Sequence, residues 1–224
     1  GILVDCGLFQ GAENSGEGAD RDNLGIDFPI GHIRALVVTH VHIDHVGRVS
    51  YLLAAGFEGP IYCSLPSAIL LPLVIEDALA VGATRDRKLV ARTLERLKSQ
   101  IRPLAYGKWV RVDTGIGTRL EIRLQRAGHI LGSAYVECRI TAPPVGSALA
   151  EQELIGDQCP TEVGPTDGQS AECSATAEPT DEATPARHRV IFSGDLGAAH
   201  TPLLPEPEPP LGCHTLVIES TYGD

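Results

Sequence analysis

The apolar run Ala35 to Val38 reads as a buried strand, over 35–39. Just beyond it, Val46, Val49, Leu52 and Leu53 share one face at helical spacing, which predicts a helix over 44–55 closed by Gly56 as its C-terminal cap. Upstream, Ile2 to Val4 forms a strand end with Asp5 at its tip, and the polar, glycine-rich stretch Gly7 to Gly25 reads as a long loop. Pro60 to Cys63 predicts a short strand. Ser67 to Val81 is apolar enough for a buried helix, which Pro72 should kink or restart. From Asp86 to Ile101, Val90, Leu94, Leu97 and Ile101 line one helical face, with Pro103 as the stop.

The clearest alternation follows. Leu120, Ile122 and Leu124 are interleaved with Arg119, Glu121, Arg123 and Gln125, and the period resumes at Ala134, Val136, Cys138 and Ile140. Two half-buried antiparallel strands joined by the loop Ala127 to Gly132 account for this, with His129 presented at the sheet end. Residues 143–187 are rich in Pro, Ala, Thr, Gly and acids, with few large apolar residues, and predict a disordered insertion. Order returns with Arg189 to Phe192, a strand delivering Asp195. A proline-rich connection then leads to a last strand, Thr215 to Ile218, ending in Glu219.

Composition adds less. At 224 residues, with 43% hydrophobic residues and 40 Gly plus Pro, the chain fits one loop-rich globular domain. No apolar run approaches the roughly 20 residues of a membrane span, and no signal peptide opens the chain. Six scattered cysteines without a CxxC pair suggest reduced thiols and a cytoplasmic location. The chain has no methionine, opens inside a strand and stops abruptly at Asp224, so it reads as an internal piece of a longer protein. The net charge of −11 argues against a polyanionic partner only superficially. Nine acids against one base place −8 between Pro143 and Arg187 and leave −3 elsewhere.

Chemistry concentrates at Thr39-His40-Val41-His42-Ile43-Asp44-His45. In extended backbone His40 and His42 project to the same side, while Asp44 and His45 fall where the chain turns into the helix, with Asp44 also a good N-cap. Three imidazoles and a carboxylate within six residues suit a borderline metal such as zinc. Asp5, Asp195 and Glu219 also end strands, and His129 adds a loop imidazole.

These motifs resemble the metallo-β-lactamase superfamily. Asp5 matches its first motif, His40 to His45 its HxHxDH signature, His129 its third and Asp195 its fourth. Asp5-Cys6-Gly7-Leu8-Phe9-Gln10-Gly11, Gly128-His129-Ile130-Leu131-Gly132-Ser133 and Glu219-Ser220-Thr221-Tyr222-Gly223 look like its β-CASP branch of nucleic-acid-processing nucleases. The resemblance implies an α/β fold, the αββα sandwich, incomplete at both ends. Residues 1–142 and 188–224 would form the partial domain, with the branch's cap domain expected after 224. It implies two zinc ions, one held by His40, His42 and His129, the other by Asp44 and His45, with Asp195 bridging. Asp5 would orient ligands, and Asp44 and Glu219 would serve catalysis, Glu219 in a supporting or a structural role. The implied function is hydrolysis of single-stranded RNA by a metal-bridging hydroxide, with a homo-oligomer possible in the full-length protein. Alternatives within the fold are a small ester, thioester or lactone hydrolase and a non-catalytic scaffold. The late second-site histidine is absent, and His32, His188, His200 and His214 read as surface residues.

Overall fold

The computed structural model describes residues 1–8, 24–83, 86–115, 117–142 and 187–220. Strands β1 (Ile2–Val4), β2 (Ala35–Val37), β3 (Ile61–Ser64) and β4 (Ile101–Leu104) form a parallel sheet in that order. Helices α1 (Ile43–Val46), α2 (Val49–Ala54), α3 (Leu65–Ala78) and α4 (Arg87–Gln100) occur along the same half of the chain. A second sheet follows: β5 (Val110–Val112), β6 (Arg119–Arg126), β7 (Ala134–Thr141), β8 (Arg187–Phe192) and β9 (Thr215–Val217). It is antiparallel except for the parallel β8–β9 pair.

Two cores explain the two hydrophobic patterns. Leu36 and Val38 join Val46, Val49, Leu52, Leu71, Ile75 and Leu97 in the core between sheet and helices. Ala35 and Val37 point the other way, into a core shared with Leu120, Ile122, Leu124, Ala134, Val136 and Cys138 of the second sheet. A strand covered on both faces must be apolar throughout, whereas β6 alternates because Arg119, Glu121 and Arg123 face away from that core. The described residues thus stack as helices, sheet and sheet.

Several local expectations change. The helix predicted over 44–55 is two helices, because the Arg48 amide donates to Cys6 O at 2.9 Å. Asp44 sits in the first turn of α1, and the N-cap position is His42. Pro72 does not restart α3, which runs unbroken to Ala78 before a π-helical turn over Leu79–Ala83; Pro72 is buried among the residues that anchor the helix. Pro103 lies in β4, an edge strand where a missing amide donor is tolerated. Arg187, assigned to the insertion, already belongs to β8. Residues 143–186, most of the Gly7–Gly25 loop and residues 221–224 lie outside the described residues.

Candidate metal centre

Parallel strands deliver their C-terminal ends to one sheet edge, which is where α/β folds build sites. β1 delivers Asp5 and β2 delivers Thr39 and His40, while from the second sheet β8 delivers Asp195 and β9 delivers Glu219. Asp5 has φ 59°, a left-handed conformation rare outside glycine, and its backbone amide still bonds Val37 O at 2.9 Å. That turn aims the carboxylate under the histidine cluster. Asp5 Oδ1 accepts from the Thr39 amide at 2.8 Å, and Oδ2 accepts from Thr39 Oγ1 at 2.7 Å and His45 Nδ1 at 2.8 Å. The chain then passes so close to α1 that a Cβ on Gly7 would lie 1.3 Å from Asp44 O.

These contacts decide which ring nitrogens face the cluster. The Thr39 hydroxyl spends its one proton on the carboxylate of Asp5, so at 3.1 Å from His40 Nδ1 its oxygen accepts. His40 therefore carries its proton on Nδ1 and presents a lone pair at Nε2. That atom lies 3.1 Å from His42 Nδ1 and 3.7 Å from Asp195 Oδ2. His129 Nε2 lies 3.2 Å from His42 Nδ1 and 3.5 Å from Asp195 Oδ2. His45, donating through Nδ1 to Asp5, turns Nε2 toward Asp195 Oδ1 at 3.1 Å and Asp44 Oδ2 at 3.7 Å.

His40 is fully buried, and burial, followed by the neighbouring His45, His42 and His129, pushes its pKa down to about 3. It is neutral at ordinary pH, the form that ligates metal. Burial opposes charge on His45 too, but the Asp5 hydrogen bond and the charges of Asp5, Asp195 and Asp44 outweigh it and raise its pKa.

The structure therefore brings the expected residues together as two groups. His40, His42, His129 and Asp195 offer ligand atoms within 4.8 Å of one another, as do Asp44, His45 and Asp195. His40 Nε2, His42 Nδ1, His129 Nε2 and Asp195 Oδ2 converge on one point, an arrangement a cation would satisfy. The donor set suits zinc, nitrogen-rich in one group and oxygen-rich in the other.

The Metallo-beta-lactamase superfamily profile matches residues 1–143, more than half of the chain. The chain belongs to the metallo-beta-lactamase superfamily. Along its whole length it is 29% identical to Ribonuclease TTHA0252 of Thermus thermophilus, covering 38% of that protein. Over 70% of its length it is 35% identical to Transcription termination factor FttA of Methanococcus maripaludis, covering 23% of it. Over 62% of its length it is 29% identical to Cleavage and polyadenylation specificity factor subunit 3-II of Arabidopsis thaliana, again covering 23%. The chain thus spans well under half of each of these metallo-beta-lactamase relatives.

Glu219 stands apart from both groups. Its Oε1 accepts from the Leu196 amide at 2.7 Å, and its own amide donates to Ser193 Oγ at 3.0 Å, so it braces the backbone on either side of Asp195. Gly194, at φ 52°, allows this turn to press against Thr39, where a Cβ would meet the Thr39 Cβ at 2.7 Å. His32, His188, His200 and His214 are exposed. Sequence reasoning missed Thr39 as a working group. A threonine at a strand end carries no signal of its own, and its role follows only from Asp5 lying beneath it.

Proposed function

We propose that this chain carries the catalytic metal centre of a binuclear-zinc RNA phosphodiesterase of the β-CASP branch. The observation that carries the reading is the pair of ligand groups meeting at Asp195. His40, His42 and His129 would hold one zinc, Asp44 and His45 the other, and Asp195 both. When bound, a zinc pair supplies an activated water at neutral pH and neutralises charge on phosphoryl oxygens. The protein's own part is orientation. Asp5 fixes the His45 ring and, through Thr39, the tautomer of His40, as partners behind metal ligands do. Glu219 supports Asp195 through backbone contacts. The relatives named as a ribonuclease and as a cleavage and polyadenylation specificity factor subunit favour RNA as the substrate, and among the described residues no helix is long and apolar enough to cross a membrane.

The test is cleavage of a labelled single-stranded RNA by the full-length protein. It should stop with a chelator, return with zinc, and collapse in Asp44→Ala while circular dichroism stays unchanged. Metal-dependent hydrolysis of thioesters or lactones with RNA left intact would replace this reading with the small-ester one.

A further inference from the structure

We propose that Ser64 and Ser67, at the start of α3, form a two-hydroxyl clamp that positions His129 for metal binding. The proposal rests on reading His129 as a ligand. Both serines are fully buried, and both reach the same acceptor: Gly132 O lies 2.6 Å from Ser64 Oγ and 3.0 Å from Ser67 Oγ. The two oxygens are themselves 3.0 Å apart. Two hydroxyl protons and two carbonyl lone pairs match, and neither serine oxygen is left without a partner.

Helix capping explains only part of this. Ser64 caps α3 by accepting from the Ser67 amide at 3.2 Å, which needs no hydroxyl on Ser67. A second buried hydroxyl costs free energy unless it is bonded, and its bond goes to the loop three residues after His129. The approach is close: Gly132 has φ 89°, and a Cβ there would lie 2.8 Å from Ser67 Oγ and 2.9 Å from Ser67 N.

The contact continues to His129 through one residue. Ser133 Oγ accepts from the amides of His129 at 3.0 Å and Ile130 at 3.2 Å, while the Ser133 amide donates to Ile130 O at 3.0 Å. Tyr106 OH donates to Ser133 O at 3.1 Å, and the Ala134 amide donates to Thr39 O at 2.9 Å. The loop is therefore fixed on one side to the strand end that precedes His40 and on the other to α3. A shift of Gly132 moves the His129 peptide, and with it the 3.2 Å approach of His129 to His42.

The experiment is titration of the whole chain with cobalt(II), read by calorimetry and by the visible spectrum of the bound ion. Ser64→Ala/Ser67→Ala should weaken cobalt binding about tenfold, the range seen when partners behind ligands are lost. Ser67→Thr should retain wild-type affinity. Ser99→Ala, which removes an exposed hydroxyl bonded, among the described residues, to Arg96 O of its own helix, should change nothing. In a His129→Ala background the serine changes should add less than about twofold, because coupled residues are not additive. Wild-type affinity in the double variant, with circular dichroism intact, overturns the clamp, and so does an undiminished loss in the His129→Ala background. If the wild-type chain binds no cobalt, the metal reading itself falls, and the clamp with it. Should the double variant not fold, Ser67→Ala alone leaves the 2.6 Å Ser64 contact in place and decides the question by the same readings.

Discussion

His40 and His42 meet His129 from a place far away in the chain, whereas Asp44 and His45 are neighbours on one helical turn, and Asp195 serves both groups. The first group is built from imidazoles around a fully buried ring. The second holds two carboxylates and one imidazole, all partly exposed. The first group depends on the second sheet and its loops for half its ligand atoms. The second is nearly complete within α1 but owes the direction of its one ring to Asp5. A nitrogen-rich group built around the buried His40 should hold zinc more firmly than an oxygen-rich one.

The strongest challenge to this comparison is Asp195→Ala, which removes a ligand atom from both groups. Loss of a ligand should exceed the 10–100-fold cost of losing a partner behind one, so zinc affinity should fall about 100-fold or more at each group, measured by calorimetric stoichiometry and affinity. Wild-type affinity at either group would mean that Asp195 does not bridge them.

Asp5→Ala should separate the two. Its carboxylate holds His45 directly and His40 only through Thr39, so the second group should weaken roughly 10–100-fold and the first less. Thr39→Val is the mirror test. It frees the Nδ1 proton of His40 from its acceptor, and the first group should lose about tenfold with little change at the second. Equal losses at both groups in either variant would erase the distinction.

Acid should act on His40 in a defined direction. In the metal-free folded chain its pKa is lowered to about 3, while the unfolded chain protonates it near 6.5. The unfolded state then binds more protons through that window. The contribution of His40 to stability is complete above about 6.5 and declines as pH falls toward 3, by roughly 1.4 kcal/mol per pH unit at most. Urea melts of wild type and His40→Gln between pH 7 and 5 should converge on acidification. His45 runs the opposite way: its raised pKa gives a contribution that is full below about 6.5 and is lost as pH rises through the raised value.

The smallest effect should come from residues 143–186. Replacing them with a short Gly/Ser turn leaves the six registered pairs of β7 and β8 in place, so the melting temperature should move by only a few degrees. A large loss of sheet signal would show that this stretch contributes to the core.

Much of the architecture was legible because burial leaves a period. The alternation at 119–125 marked a strand with one covered face, and the unbroken run at 35–38 marked a strand in the interior. Short elements without a period escaped: β4 contains a proline, and β5 has three residues. The break between α1 and α2 was invisible as well, since the apolar face continues across it and the interruption comes from Cys6, 42 positions before Arg48.

The ligand types and their spacing at 40–45, and the acids closing the strands, are properties of the sequence alone, because a strand end and a helical turn are local. The motif resemblance implied that His129 and Asp195 join His40 and His42, and the structure brings their ligand atoms within 4.8 Å of one another. That Asp5 and Thr39 together select the His40 tautomer and that α3 grips Gly132 were decided only by tertiary structure. Both depend on an atom within about 3 Å that lies dozens of residues distant, Asp5 Oδ2 at Thr39 and Gly132 O at Ser64, and no local pattern records such a meeting.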